Sequence, residues 1–263
     1  MISLFKKFVA LICAVIVSFS FSLITFAAET SVTENMTSVI HAGGVVGGEI
    51  GTNSLEALNN SFYNGYRYIE LDFNFTTDGH LVCIHDWEKN YFGSNYKFKG
   101  AVSLEEFKKL KIEGKYTTLT LESLEKWLMN KPNTYIITDI KSDNIAGLKY
   151  IKDNCPYMMR RLIPQIYSES QYDKVRAMGY PNIIYTLYML NYSEKTNTRE
   201  IVSFAKSHKL VAITFSSQLA TSSYVSALKN SGIRLFTHTV NSKADIQRFK
   251  AMGIYGVYSD VLQ

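Results

Sequence analysis

Cysteine is scarce. Of the three in 263 residues, Cys13 lies in an apolar leader, which leaves only Cys83 and Cys155. Two cysteines cannot build the disulfide framework of a small secreted scaffold, and they show no zinc-site spacing. Cys83 sits in an apolar run and reads as a small core residue. Concentrated charge is also missing. Charged residues make up 19% of the chain, and the net charge of +5 is spread along it. No basic stripe interleaves with aromatics, so nothing supports nucleic-acid binding. The bland meaning of that spread is a solvated surface. It also permits weak attraction to anionic lipid or phosphate-rich polymer. A hydrophobic share of 46% argues against disorder. No linker divides the chain beyond residue 37, so one domain is expected there.

The N-terminus is informative. Lys6 and Lys7 precede an apolar run from Phe8 to about Ala28, interrupted only by small polar residues such as Ser18 and Ser20. A short basic region before an apolar core is how export machinery recognises a signal. Cleavage is expected near Ala27 or Ala28. The run also approaches the ~20 residues that span a bilayer, so an uncleaved anchor stays open. The expected layout is residues 1–28 as signal or anchor, 29–37 as linker and 38–263 as the domain. The expected location is extracytoplasmic, secreted or held at the outer face of the membrane.

From residue 38, β-rich runs alternate with amphipathic stretches. The runs are Val39–His41, Tyr68–Asp72, Tyr135–Asp139, Leu162–Gln165, Ile183–Leu187, Val211–Phe215, Arg234–Val240 and Gly256–Ser259. Between them, Ser54–Asn64 carries Leu55, Leu58 and Phe62 near helical spacing, and Ser103–Glu106 reads as a capping box. Gly65, Gly179, Gly232 and Gly253 fall where a helix would be capped. Strict alternation implies parallel strands with right-handed crossovers. Eight of them fit a closed (β/α)8 TIM barrel, a single α/β domain, with the final helix truncated.

One connection departs from that pattern. The second run continues past Asp72 to Asp78-Gly79 and returns as His80–His85. Asp-Gly between alternating runs predicts a two-residue type I′ hairpin. Counting outward pairs Thr77 with His80, Phe75 with Val82 and Asp72 with His85. Such partners share a face, with Cβ atoms ~5 Å apart. Glu70, two residues before Asp72, points the same way.

Glu70, Asp72 and Asp139 thus end barrel strands on the face where barrels build their sites. Converging carboxylates repel unless a cation joins them, and a hard, oxygen-preferring ion, Ca²⁺ or Mg²⁺, is the natural occupant. His41 ends the first run beside them, and His41 and His85 would flank the metal, suited to trading protons near neutral pH.

These residues resemble the glycerophosphodiester phosphodiesterases, within the wider phospholipase C-like barrel superfamily. The family's His-Arg-Gly, Pro-Glu-Asn-Thr, Glu-x-Asp, Thr-x-Asp-Gly and His-Asp motifs find counterparts here. They are His41-Ala42-Gly43, Thr52-Asn53-Ser54, Glu70-Leu71-Asp72, Thr77-Asp78-Gly79 and His85-Asp86. Leu119–Glu122, Asp139-Ile140-Lys141, Thr237–Asn241 and Gly256–Asp260 extend the likeness over nearly the whole domain. The resemblance implies metal-dependent hydrolysis of a diester of glycerol 3-phosphate. His41 and His85 would be the general acid and base, with Glu70, Asp72 and Asp139 on the cation and Lys141 on the phosphate. Gln165 and Tyr167, at the end of the fourth run, are candidate substrate contacts. The implied partner is a small phosphodiester or a lipid head group, with association at the cell envelope and a monomeric chain.

The departures matter. Ala42 and Thr52 stand where the family has Arg and Glu, which amounts to one lost ion pair and no orphaned charge. The expectation is a pocket reshaped for another head group. Asp139 is one methylene shorter than the family's Glu, as in sphingomyelinase D-like enzymes. That keeps a lyase forming a cyclic phosphate as an alternative, alongside a non-catalytic phosphate-binding barrel. The aromatic stretch Trp87–Tyr96 is either an apolar lip for substrate or packing beneath a loop.

Overall fold

The computed structural model describes residues 32–88, 92 and 100–261. Thr37–Gln263 forms one compact unit. The expected signal or anchor lies outside the described residues, as do Tyr91 and Tyr96 of the aromatic stretch. No helix among the described residues is long and apolar enough to cross a membrane.

In chain order the strands are β1 (Ser38–Ile40), β2 (Tyr68–Phe75), β3 (Leu81–Cys83), β4 (Lys111–Ile112), β5 (Tyr116–Thr117), β6 (Leu119–Thr120), β7 (Tyr135–Ile140), β8 (Leu162–Ile166), β9 (Ile184–Thr186), β10 (Ala212–Ser216), β11 (Arg234–His238) and β12 (Gly256–Ser259). The helices are α1 (Leu55–Tyr63), α2 (Leu104–Phe107), α3 (Leu121–Met129), α4 (Asn144–Asn154), α5 (Tyr172–Ala177), α6 (Tyr192–Thr196), α7 (Thr198–Ser207), α8 (Ser222–Lys229) and α9 (Lys243–Met252). Strands β1, β2 and β7 to β12 pair in parallel, and β1 joins both β12 and β2, so the sheet closes into an eight-stranded barrel. All eight runs read from the sequence are strands of that barrel. The described chain reaches Val261, and no helix follows β12 within it.

Alternation along the strands sorts the core into two shells. Leu58, Ile69, Leu71, Ile136 and Ile213 belong to the cluster between sheet and helices. Val39, Ile137, Ile163, Ile184 and Phe236 are equally buried, but each lies two residues before an inward polar side chain and fills the barrel's interior. Gly256 keeps that interior closable, because a Cβ there would stand 2.4 Å from Phe236 Cε1 and 2.6 Å from the Thr37 carbonyl oxygen. Helix starts follow their sequence signals. Ser103 and Glu106 cap each other at α2, and the hydroxyls or carboxylate of Ser54, Thr120 and Asp143 cap α1, α3 and α4.

The hairpin after β2 is present, but its register differs from the expected one. Thr76 N–H donates to the His80 carbonyl at 2.9 Å and Gly79 N–H to the Thr76 carbonyl at 3.1 Å. The loop is therefore Thr77-Asp78-Gly79, with Gly79 at φ +78°. The Thr76 hydroxyl, bonded to Asp78 and to the His80 backbone, holds this wider loop closed. The observed pairs are Phe75–Leu81, Asn74–Val82 and Phe73–Cys83. A one-residue slip exchanges the faces of a strand. Ile84, not His85, stands beside Asp72, and its N–H donates to the Asp72 carbonyl at 3.0 Å.

Trp87 and Phe92 take the packing role. Their rings stack at 6.4 Å, Trp87 meets Phe107 edge-on at 5.7 Å, and Phe92 is buried in the small core under the hairpin.

Candidate active site

The barrel mouth gathers the charged residues singled out from the sequence. Glu70 and Asp72 lie on β2 and Asp139 on β7, with Asp72 directly beside Asp139 in the parallel register. All three are buried, and ligand atoms of the three lie within 4.8 Å of one another. Lys141 continues the inward face of β7, its Nζ 2.9 Å from Asp72 Oδ1 and 2.8 Å from Asp139 Oδ2. One lysine against three carboxylates leaves negative charge in excess. Burial, followed by the charge of Asp72, raises the Glu70 pKa above the usual carboxylate range. Glu70 Oε1 is buried without a hydrogen-bond partner. An oxygen-only set with surplus negative charge and an orphaned ligand atom fits a hard divalent cation.

Backbone strain and a side-chain clamp aim two of these acids. Ala42, in the turn after β1, adopts φ +48°, and its N–H donates to Glu70 Oε2 at 2.7 Å. The left-handed conformation costs about 1–2 kcal/mol for a non-glycine residue. Asn53, at φ +49°, holds Asp72 from both ends. Its Nδ2 donates to Asp72 Oδ2 at 2.8 Å, and its Oδ1 accepts the Asp72 N–H at 2.9 Å. The lost Arg–Glu pair leaves no bare charge. Ala42 and Thr52 are both buried, and the Thr52 hydroxyl lies 2.9 Å from that of Ser54.

His41 sits at the end of β1 with Nε2 3.8 Å from Glu70 Oε2. Its Nδ1–H donates to Asp260 Oδ1 at 2.6 Å, and Asn241 Nδ2 secures the other Asp260 oxygen at 2.7 Å. Burial alone would lower the His41 pKa. The Asp260 hydrogen bond and the charges of Glu70 and Asp72 outweigh it and push the ring up to about 9. Asp260 answers in the other direction: burial raises it, and the bonds from His41 and Asn241 bring it below its ordinary value.

The other sequence candidates fall in distinct places. The slipped register takes His85 off the Asp72 partner position. Its Nδ1 lies 2.9 Å from Asp86 Oδ2, and its ring is half-exposed. Tyr167 spends its hydroxyl on Asp139 Oδ1, as does Tyr188 at 2.8 Å. Gln165 is buried and lines a small cavity with His41, Glu70, Asp139, Thr186, Tyr188, His238 and Tyr258.

Asp260, Asn241, Asn53, Tyr188, Thr186, His238 and Tyr258 were not among the candidates. A period-two signal was there to use, since Tyr188 follows Thr186 and Asp260 follows Tyr258 on the same face. Aligned on Thr-Val-Asn, His238 takes the place of the tryptophan in the family motif. Burial, then the charge on His41, brings its pKa down to about 4.

Comparison with known proteins accords with this arrangement. The curated glycerophosphodiester phosphodiesterase of Caldanaerobacter subterraneus subsp. tengcongensis is 27% identical over 221 residues, covering 79% of this chain and 88% of that protein. Among solved structures, the glycerophosphodiester phosphodiesterase of Thermotoga maritima superposes with a TM-score of 0.65 at 21% identity, covering 85% of this chain and 94% of that one. An Oleispira antarctica phosphodiesterase, solved with the product sn-glycerol-3-phosphate, gives a TM-score of 0.65 at 16% identity, with 85% and 92% covered. At those identities the solved structures establish the barrel fold. The model of the Glycerophosphoryl diester phosphodiesterase family matches residues 44–263, and the chain belongs to that family.

Proposed function

We propose that this phosphoric diester hydrolase cleaves glycerophosphodiesters to glycerol 3-phosphate and an alcohol, with His41 and His85 exchanging the protons. The observation that carries the reading is the buried Glu70–Asp72–Asp139 cluster with His41 against its edge. Glu70, Asp72 and Asp139 would hold Ca²⁺ or Mg²⁺, which when bound would neutralise phosphate oxygens and charge developing on them. Lys141, between Asp72 and Asp139, adds a fixed positive charge beside the phosphate.

The proton assignment follows from His41. Asp260 takes the Nδ1–H, so Nε2 is the nitrogen left to face substrate. A ring that the Asp260 carboxylate favours protonated against the effect of burial suits a general acid that donates from Nε2 to the departing alcohol oxygen. His85, with Nδ1 toward Asp86, is the candidate base for the attacking oxygen. Residues 1–28 would carry the domain out of the cytoplasm.

The test is phosphorus NMR of the reaction in ¹⁸O-labelled water with Ca²⁺ or Mg²⁺. A linear glycerol 3-phosphate carrying the label is expected, and a persistent cyclic phosphate would replace the reading with a lyase. His41→Ala and His85→Ala should each lower kcat by about 10²–10⁴. Full activity in His85→Ala would remove that residue from the mechanism.

A further inference from the structure

The end of the barrel opposite the mouth has a chemistry of its own. All eight barrel strands run the same way, so the segments that lead into them meet at that end. The seven that link a helix to a barrel strand are 64–67, 130–134, 155–161, 178–183, 208–211, 230–233 and 253–255. None of them contains an aspartate or glutamate, whereas Arg67, Lys131, Arg160, Arg161 and Lys209 lie in them and Arg234 begins β11. Segments leaving the strands at the mouth mix both signs, with Glu49, Asp78, Asp86, Asp143 and Glu169 beside Lys89, Lys97, Lys99 and Lys141, while the segment that leads into β1 adds Glu34 to the opposite end. Helix C-termini at the strand-entry end account for part of the bias, because their partial negative charge favours cations. They do not call for exposed apolar side chains.

Those are nonetheless present. Tyr63 and Met129, at the ends of α1 and α3, are each 75% exposed, Tyr157 before β8 is 84% exposed and Tyr255 before β12 is 38% exposed. They follow one arc, since β12, β1, β2, β7 and β8 are consecutive in the barrel. Cations interleave with the rings. Lys131 Nζ lies 4.7 Å from the Tyr63 ring centre, Arg67 4.3 Å from that of Phe62 and Arg234 4.6 Å from that of Tyr255. Tyrosine and cation side by side is the composition that settles at a bilayer surface, the ring at head-group depth and the charge on lipid phosphates. The chain also joins the barrel here. β1 begins at Ser38, and the apolar run that ends near Ala28 is tethered to this end by only the linker.

We infer that the strand-entry end of the barrel docks on an anionic lipid bilayer, through Tyr63, Met129, Tyr157 and Tyr255 and the basic residues among them. The inference goes beyond the hydrolytic reading and does not depend on it. The mouth then faces away from the lipid, so a diester arrives from the aqueous side.

The test is sedimentation of the full chain with vesicles of phosphatidylcholine alone and of equal phosphatidylcholine and phosphatidylglycerol. Lys6 and Lys7 of the leader also favour anionic head groups, so the barrel end is read by the change in that preference when its own cations are reversed and the leader is left intact. Stronger partition into the anionic vesicles is expected, falling as salt is added. Arg160→Glu with Lys131→Glu should cut the preference roughly fivefold or more per residue. Tyr157→Ser with Met129→Ser should lower binding several-fold. Turnover of a water-soluble glycerophosphodiester should be unchanged in both variants, which reports intact folding. Equal partition into the two vesicles, or a preference that survives charge reversal, would overturn the inference. A self-association that charge reversal abolishes while vesicle binding persists would assign the face to a second copy of the chain instead.

Discussion

The two halves of the barrel mouth are made from different chemistry. The half built on β1, β2 and β7 is charged. His41, Glu70, Asp72, Asp139 and Lys141 bind one another or are held by Asp260, Asn53 and backbone. The half built on β9 to β12 is uncharged up to Asp260, which turns toward His41. Thr186 Oγ1, Thr214 Oγ1, His238 Nε2 and Tyr258 Oη are buried with no hydrogen-bond partner among the described residues. Leaving a buried polar atom unpaired costs about 1–3 kcal/mol, and the charged half has its own such atom in Glu70 Oε1. On the proposed function, the charged half would take phosphate and cation, and the other half the uncharged remainder of a substrate.

The sharpest way to break this contrast is to remove charge from the charged half. Glu70→Gln should lower kcat/KM by about 10³ or more if Glu70 is a ligand of the proposed cation. The same change should make the metal-free protein harder to unfold. Burial and Asp72 raise the pKa of Glu70 in the folded state. The stability tied to its proton is therefore complete below the unfolded value of about 4.3 and is lost as pH rises toward the folded one. Metal-free wild type should weaken over that window, and the glutamine variant should not. Each kcal/mol recovered at neutral pH appears as about 2–4 °C in Tm. Calorimetry without metal and then with Ca²⁺ reads both signs, because the added cation should stabilise wild type and leave the variant nearly unmoved. A variant that melts lower than wild type without metal would mean that the carboxylates are not in repulsion.

A smaller effect is expected at the seam where the barrel closes. Asp260 touches no carboxylate of the cation cluster in this structure, so Asp260→Asn tests positioning and proton affinity rather than metal binding. Asparagine keeps the shape and the bond to Asn241 but removes the charge that favours a protonated His41. Activity that needs His41 protonated is lost as pH rises through the ring's folded pKa, which the Asp260 carboxylate raises against the effect of burial. The variant should therefore lose activity at lower pH, with kcat down about tenfold and cation affinity unchanged. An alkaline limb that stays in place would detach Asp260 from the proton transfer.

The charged half was legible in the sequence and the neutral half was not, for a physical reason. Glu70, Asp72 and Asp139 are costly at the ends of buried strands, so their presence demands an explanation that a cation supplies. Thr186 and Tyr258 are ordinary strand residues whose hydroxyls are usually satisfied, and only the closed barrel shows them facing a cavity. The barrel itself followed from eight alternating runs, with strand ends displaced by a residue or two. The hairpin was recognised, but its register depended on whether Asp78-Gly79 closed a two- or three-residue loop. The Thr76 side chain decided that, and with it the partner of Asp72 changed from His85 to Ile84. The tie between His41 and Asp260 joins the first barrel strand to the last, and local spacing carries no trace of it.

The smallest expected effect tests the neutral half directly. Thr186→Val removes one unpaired hydroxyl and keeps the side-chain volume. A buried group without a partner contributes nothing to the free protein, so stability should hold or rise slightly. If the neutral half receives substrate hydroxyls, KM for a glycerophosphodiester should rise about 3- to 10-fold, the worth of a single neutral hydrogen bond. kcat should change little, because no charge develops on that side in the transition state. Tyr258→Phe should behave alike, and neither change should affect turnover of a diester with no hydroxyls on its alcohol groups. Equal losses on hydroxylated and hydroxyl-free substrates would show that these strands only support the charged half, and the contrast between the halves would then be one of packing rather than of recognition.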